Sequence, residues 1–131
     1  MMLSKFCDGC SKPIIEVKIG GLMFKALVDS GADFTMLRIE DTTLSLLEMR
    51  GIIKKTGGFH KISGAVSFGD IKCDTYAISQ LIIGNITLNN VETDVLDNPH
   101  PECDLYLGLN ILEKFNYTID NKNKQVNMEL I

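Results

Sequence analysis

Hydrophobic and polar positions alternate clearly near the start of the chain. Ile15, Val17 and Ile19 are separated by Glu16 and Lys18, the period of a strand with one buried and one wet face. Gly20-Gly21 follows, a two-residue hairpin turn, and a second strand runs to Asp29. Residues 40–51, EDTTLSLLEMRG, change period. Leu44 and Leu47 fall on one helical face, Asp41 or Thr42 offers a cap, and Gly51 offers a stop. From 52 to 96 the signals are strand and turn, with glycines at 57, 58 and 64 and expected strand breaks at Gly84-Asn85 and Asn89-Asn90. GLNILEKF, 108–115, predicts a short helix. NYTIDNKNKQVNMELI closes the chain as a hairpin, with Tyr117 and Ile119 on one arm and Val126, Met128 and Leu130 on the other.

The pattern is mainly β with two short helices. At 131 residues the chain fits one domain, and a chain this long buries roughly two thirds of its unfolded surface, enough for a core without staples. We take residues 13–131 as that domain and 1–12 as an N-terminal extension. Ile19-Gly20-Gly21-Leu22 resembles Ile83-Gly84-Asn85-Ile86, and each opens a unit that runs to a glycine after a strand, Gly31 and Gly108. That is a hint of internal duplication.

Charge and cysteines narrow the function classes. The net charge is −4 and no basic tract or basic-aromatic stripe occurs, so nucleic acid is not an expected partner. No apolar run approaches the ~20 residues of a membrane span, and MMLSKFCDGCSK lacks the apolar stretch of a signal peptide. A cytoplasmic protein is expected. Cys7-x-x-Cys10 has metal or redox spacing, but Cys73 and Cys103 form no second such pair, and the motif precedes the first clear strand instead of following one. Free thiols are expected, and no metal.

The segment with chemical content is ALVDSGADFTML, residues 26–37. Asp, Ser and Gly all form turns, so Asp29-Ser30-Gly31 alone reads as a surface turn. Its surroundings argue otherwise. Ala26-Leu27-Val28 is apolar without alternation, as in a strand buried on both faces, and Ala32, Phe34, Met36 and Leu37 are not loop residues. LYLGLNIL, 105–112, repeats the form of an apolar strand that stops at a glycine and enters a helix. A carboxylate held between buried segments is costly unless it is bonded or paired, and such groups are kept where they do chemistry.

On these residues the chain resembles the retropepsin-like aspartic proteases. Leu27-Val28-Asp29-Ser30-Gly31-Ala32 matches the family's apolar-apolar-Asp-Thr/Ser-Gly-Ala motif. Thr56 to Gly64 resembles its glycine-rich flap, and Tyr106-Leu107-Gly108, with Asn110 and Leu112, resembles its second signature strand and helix. The resemblance spans about Pro13 to Ile131. It implies a closed β-barrel and an aspartic endopeptidase without cofactor. Two aspartates would share one proton across a water, one taking the water's proton and the other donating to the peptide carbonyl. Gly31 would let the loop approach its partner, and the Ser30 hydroxyl would hold the two loops. The chain carries one such motif, since Asp74-Thr75 lacks a following glycine, so the dyad would form across a homodimer.

The resemblance also implies a peptide or protein substrate lying extended and pairing as a strand with the flaps. Ala32, Asp33, Gly57, Gly58, Phe59 and Leu109 are the implied substrate-binding residues. Phe34, Phe59 and Leu109 suggest apolar side chains beside the scissile bond. The viral enzymes carry an arginine where this chain has Leu109, so Asp33 lacks that partner here, and the terminal hairpin is the expected source of the interface. The alternative is a module of the same fold that binds peptide or protein without cleaving it. A third possibility, a small barrel using Cys7, Cys10, His60, His100 or Cys103 for a metal, is disfavoured by the NPHPEC spacing. His60 reads as a solvated or substrate-facing residue.

Overall fold

The structure, a computed structural model, describes residues 2–62 and 71–131. Six strands close a barrel: β2 (Ile14–Ile19), β3 (Leu22–Val28), β4 (Met36–Arg38), β6 (Ile71–Ile83), β7 (Ile86–Leu96) and β8 (Leu105–Leu107). Their order is β2-β3-β8-β4-β7-β6, and pairing of Lys18 with Ile82 and Ile19 with Leu81 closes β2 onto β6. Strand β5 (Ile53–Ile62) pairs with β6 outside the ring. A separate three-stranded sheet holds β1 (Met2–Lys5), β10 (Gln125–Leu130) and β9 (Phe115–Asp120), in that order.

The first hairpin follows the alternation. Ile15, Val17 and Ile19 are buried while Glu16 and Lys18 are exposed. Gly20 and Gly21 have φ of +58° and +81°, the left-handed pair that a tight hairpin turn needs and that residues with a Cβ resist. Strand β3 alternates too. Phe24, Ala26 and Val28 face the core and Leu27 is half-buried, so the apolar run before Asp29 is not covered on both faces as expected. The barrel interior and the packing between sheets form one core that includes Ile15, Leu37, Ile78, Leu105 and Leu107. Each such side chain contributes about 1.5–3 kcal/mol by leaving water.

Helix α1 (Asp41–Met49) buries Leu47 and packs Leu44 against the core. Its N-cap is Glu40, one residue before the expected cap, and no side chain bonds the free N–H groups there. Its end is as expected. The Gly51 N–H bonds the Glu48 carbonyl and the Ile52 N–H bonds the Leu47 carbonyl, the double closure of a left-handed glycine stop. Helix α2 is only Leu109–Leu112, because Phe115 already begins β9 and is drawn into the core.

Two further expectations shift. Asn90 takes φ +51° inside β7, but the strand continues through Asn89-Asn90 in unchanged register against β6. Met2–Lys5, within the stretch taken as an extension, forms a strand along β10, with Met2 opposite Met128. The terminal hairpin is therefore two strands of a three-stranded sheet, with β10 at its centre.

The topology repeats. Strands β2, β3 and β4 followed by α1 match β6, β7 and β8 followed by α2. Strand β3 runs parallel to β8, β7 runs parallel to β4, and β4 and β8 meet antiparallel between them. No helix of the described residues is long and apolar enough to cross a membrane.

Candidate active site

Asp29 is the first residue after β3. Parallel pairing of Ala26, Leu27 and Val28 with Leu105, Tyr106 and Leu107 carries the chain to this point, and the Asp29 N–H extends the ladder by bonding the Leu107 carbonyl at 3.1 Å. The loop then turns on itself. The Gly31 N–H donates to Asp29 Oδ1 at 3.0 Å, and the Ala32 N–H donates to the Asp29 carbonyl at 3.2 Å. Oδ1 is thus oriented while Asp29 stays half-buried and Ser30 and Gly31 lie exposed. Among the described residues the Ser30 hydroxyl enters no hydrogen bond, so the loop-holding role expected of it is not exercised within one chain.

The loop is tied to the second half of the barrel. The Leu109 N–H donates to the Ala32 carbonyl at 2.8 Å. Asn110 Oδ1 accepts from both the Thr35 N–H (2.8 Å) and the Thr35 hydroxyl (2.7 Å), and Asn110 Nδ2 donates to the Glu92 carbonyl at 2.9 Å. Thr35 Oγ1 in turn accepts the Gly108 N–H at 3.1 Å. Gly108 must be glycine for close approach, since a Cβ there would lie 2.5 Å from the Phe34 carbonyl carbon. The second signature segment, residues 106–112, is therefore the clamp on the loop that bears Asp29.

Gly31, Ala32 and Asp33 line one cavity of about 410 Å³ with Phe34, Met36 and His60. The other expected substrate-binding residues stand apart from it. Gly57 and Gly58 sit in a bulge of β5, where pairing with β6 slips between Lys55 and Phe59, and the Gly58 N–H bonds Thr56 Oγ1. Phe59 is exposed with the Lys72 ammonium 4.5 Å from its ring centre, and Leu109 is exposed at the start of α2. Ser63 and Gly64, the end of the expected glycine-rich flap, lie outside the described residues.

One group in this site carries no signal in the sequence. Asp94 on β7 is only 3% exposed. Its Oδ1 accepts the Thr75 hydroxyl at 3.2 Å and lies 2.6 Å from His60 Nδ1. Alternation along Val91-Glu92-Thr93-Asp94 assigns Asp94 to the wet face with Glu92. It is covered because β4 flanks β7 on one side and β6 on the other, with Met36 and Thr75 as its register partners.

Cys7, Cys73 and Cys103 are unsuited to nucleophilic work. Burial raises the thiol pKa of Cys73 and Cys103 above the ordinary range, with further raising from Asp94 and Asp74 at Cys73 and from Asp104 at Cys103. Cys7 is raised by burial and then by Cys10. Among the described residues no group of three His, Cys, Asp or Glu side chains is placed to hold a metal.

Comparison with known proteins fits this geometry. A family model described as aspartyl protease matches residues 15–111. The fold is similar to a retropepsin-like aspartic protease from Rickettsia conorii, with TM-score 0.65 and 16% identity over 97% of this chain and 88% of that one. It is also similar to the retroviral protease-like domain of Ddi1 from Leishmania major, with TM-score 0.60 and 20% identity over 93% of this chain and 91% of that one. The barrel is of the retropepsin-like type.

Proposed function

The chain belongs to the aspartyl protease family, and from that premise we propose that it is an aspartic endopeptidase whose catalytic pair is Asp29 from each of two copies. The observation that carries the proposal is the state of the Asp29 loop. It is clamped from behind by Thr35, Gly108 and Asn110, yet its carboxylate is half-buried and takes a hydrogen bond from only Gly31 among the described residues. A rigid loop that presents an incompletely bonded acid, with its next residues Gly31, Ala32 and Asp33 lining a cavity, has the form of half a site.

In the dimer the two carboxylates hold one water and one proton between them. The ionised carboxylate takes a proton from the water as its oxygen attacks the peptide carbonyl, and the protonated one gives its proton to the carbonyl oxygen. The tetrahedral intermediate then collapses with protonation of the leaving amine. The Gly31 N–H holds Oδ1, which leaves Oδ2 for this exchange. Ser30, exposed and unbonded among the described residues, has its hydroxyl available to the second loop. Exposed apolar residues on the terminal sheet, Leu3, Leu130 and Ile131, are the proposed contact between copies.

The test is to mix wild-type chains with an excess of Asp29→Asn chains under conditions where exchange is verified. A mixed dimer carries one native aspartate, so activity on a peptide substrate should fall well below the amount of wild-type chain present. Activity that tracks the wild-type chain alone would mean each chain works by itself. Specific activity should likewise fall on dilution through the dimer dissociation constant, and statine-type mimics of the tetrahedral intermediate should inhibit.

A further inference from the structure

The cavity beside the Asp29 loop has a mixed lining. Ala32, Phe34, Met36 and Ile62 supply its apolar part, Asp33 and Lys61 line it too, and His60 of β5 and Asp94 of β7 form a bonded pair within it. Asp94 Oδ1 is engaged inside the protein by the Thr75 hydroxyl and by His60 Nδ1. Its effect falls on the ring. With Nδ1 committed to Asp94, His60 has only Nε2 left to offer, while the Phe34 ring packs against it at 4.6 Å between centroids. An imidazole held by a carboxylate and an aromatic ring, with its second nitrogen unbonded among the described residues and apolar side chains beside it, has the construction of a recognition group.

The chemistry of Nε2 selects the ligand. It donates when the ring is protonated and accepts when the ring is neutral. A primary carboxamide offers both a carbonyl oxygen and an NH₂, so it bonds Nε2 in either state. The cavity carries side chains of both signs, Asp33 and Asp94 against Lys61, so no single charge is favoured along its whole lining. An aliphatic side chain would cover Nε2 and leave it unbonded, which a site of this kind penalises.

We propose that this cavity is a specificity pocket in which His60 reads a glutamine or asparagine side chain of the substrate close to the scissile bond, with Asp94 as the residue that positions the ring. The proposal rests on the protease reading for what the bound peptide undergoes, but the preference itself can be measured without cleavage. Octapeptide libraries scanned one position at a time would be offered to wild-type protein for cleavage and to Asp29→Asn protein for binding. At one position Gln or Asn should exceed Met and Leu by about ten-fold. His60→Phe keeps a ring against Phe34 but has no nitrogen. It should erase that preference at that position and leave the other positions as they were. Asp94→Asn, confirmed folded by thermal melting, should weaken the same preference through KM more than kcat.

The proposal is overturned if no position shows a carboxamide preference that depends on His60, or if Glu exceeds Gln there. If wild-type protein cleaves nothing while Asp29→Asn protein binds the Gln peptide in a His60-dependent way, the protease reading falls and the pocket stands. If neither cleavage nor binding occurs, the pocket falls as well.

Discussion

The two halves of the barrel share a topology and differ in what they place at the equivalent strand end. In the first half β3 ends at Val28 and is followed by Asp29-Ser30-Gly31. In the second half β7 ends at Leu96 and is followed by Asp97-Asn98-Pro99. Each loop is tied across to the other half. The Leu109 N–H holds the Ala32 carbonyl, and Arg38 Nε holds the Asn98 carbonyl at 2.7 Å. Both loops carry an aspartate directly after the strand, but only the first follows it with the small residues that leave the carboxylate approachable. The second has proline and an exposed aspartate that meets Asp41 of α1. The repeat thus gives a scaffold with two comparable positions and an approachable carboxylate at one, which is why the proposed catalytic pair draws on a second copy of the first half.

The largest effect should separate these two aspartates. On the proposed mechanism Asp29→Asn takes away the base and the shared proton, and it should lower peptide cleavage by about 10²–10⁴-fold or more, with the melting temperature little changed. Asp97→Asn, a surface change at the counterpart position, should leave cleavage within about two-fold. Equal losses from the two substitutions, measured as kcat/KM on one peptide, would mean that the halves are not divided as proposed.

The next effect compares the two glycines that follow β3 and β8. Gly108→Ala would place a Cβ 2.5 Å from the Phe34 carbonyl carbon and 2.7 Å from its oxygen, against backbone that cannot swing aside. About 1–3 kcal/mol of destabilisation is expected, or a melting temperature lower by several degrees. At Gly31 the nearest atom to a new Cβ is Asp29 Oδ1, at 3.3 Å. Gly31→Ala should therefore cost little stability and act on activity, by disturbing the carboxylate that the Gly31 N–H holds. Thermal melts and cleavage rates on the same two proteins would read both outcomes. A Gly108→Ala protein as stable as wild type would remove the clamp from the account.

The sequence made the first half easier to read than the second. Alternation located β2, Gly20-Gly21 located its turn, and Asp29-Ser30-Gly31 stood out because its neighbours are apolar. These are local signals. The clamp was partly visible, since Gly108 and Asn110 fit the family's second signature, but their contact with Phe34 and Thr35 depends on β4 and β8 meeting across the barrel. Asp94 was invisible because period two places it with exposed Glu92, and its partners His60 and Thr75 are remote in sequence. Strand β1 leaves little trace in the sequence for a similar reason. Met2-Leu3-Ser4-Lys5 is short and weakly patterned, and it becomes a strand only because β10 offers an edge. Helix α2 is shorter than its pattern implies, because the apolar spacing of Ile111 and Leu112 continues to Phe115, which belongs to β9.

The smallest effect is electrostatic and concerns the aspartate of the second half. The carboxylate of Asp97 beside Asp41 raises the pKa of Asp41 above the ordinary carboxylate value, first by charge repulsion and then by the hydrogen bond that protonation allows. Asp120, at the end of β9, is shifted the opposite way. The Asn123 N–H donates to its Oδ1 at 3.0 Å and Asn123 Nδ2 donates to its Oδ2 at 2.8 Å, and both bonds favour the charged form. The signs for stability follow. A raised folded-state pKa at Asp41 gives a contribution present below the unfolded value of ~3.9 and lost as pH rises through the folded value. A lowered one at Asp120 gives a contribution present above ~3.9 and lost as pH falls through the folded value. Carboxyl-carbon NMR titration should show Asp41 with a midpoint above ~3.9 and Asp120 with one below it. Asp97→Asn should bring Asp41 back toward the ordinary midpoint and leave Asp120 where it was. Asn123→Ala keeps the backbone donor and loses the side-chain one, so Asp120 should move up only part of the way. An Asp41 midpoint that does not respond to Asp97→Asn would separate the two carboxyls, and the loop after β7 would then have no part in setting the charge at the start of α1.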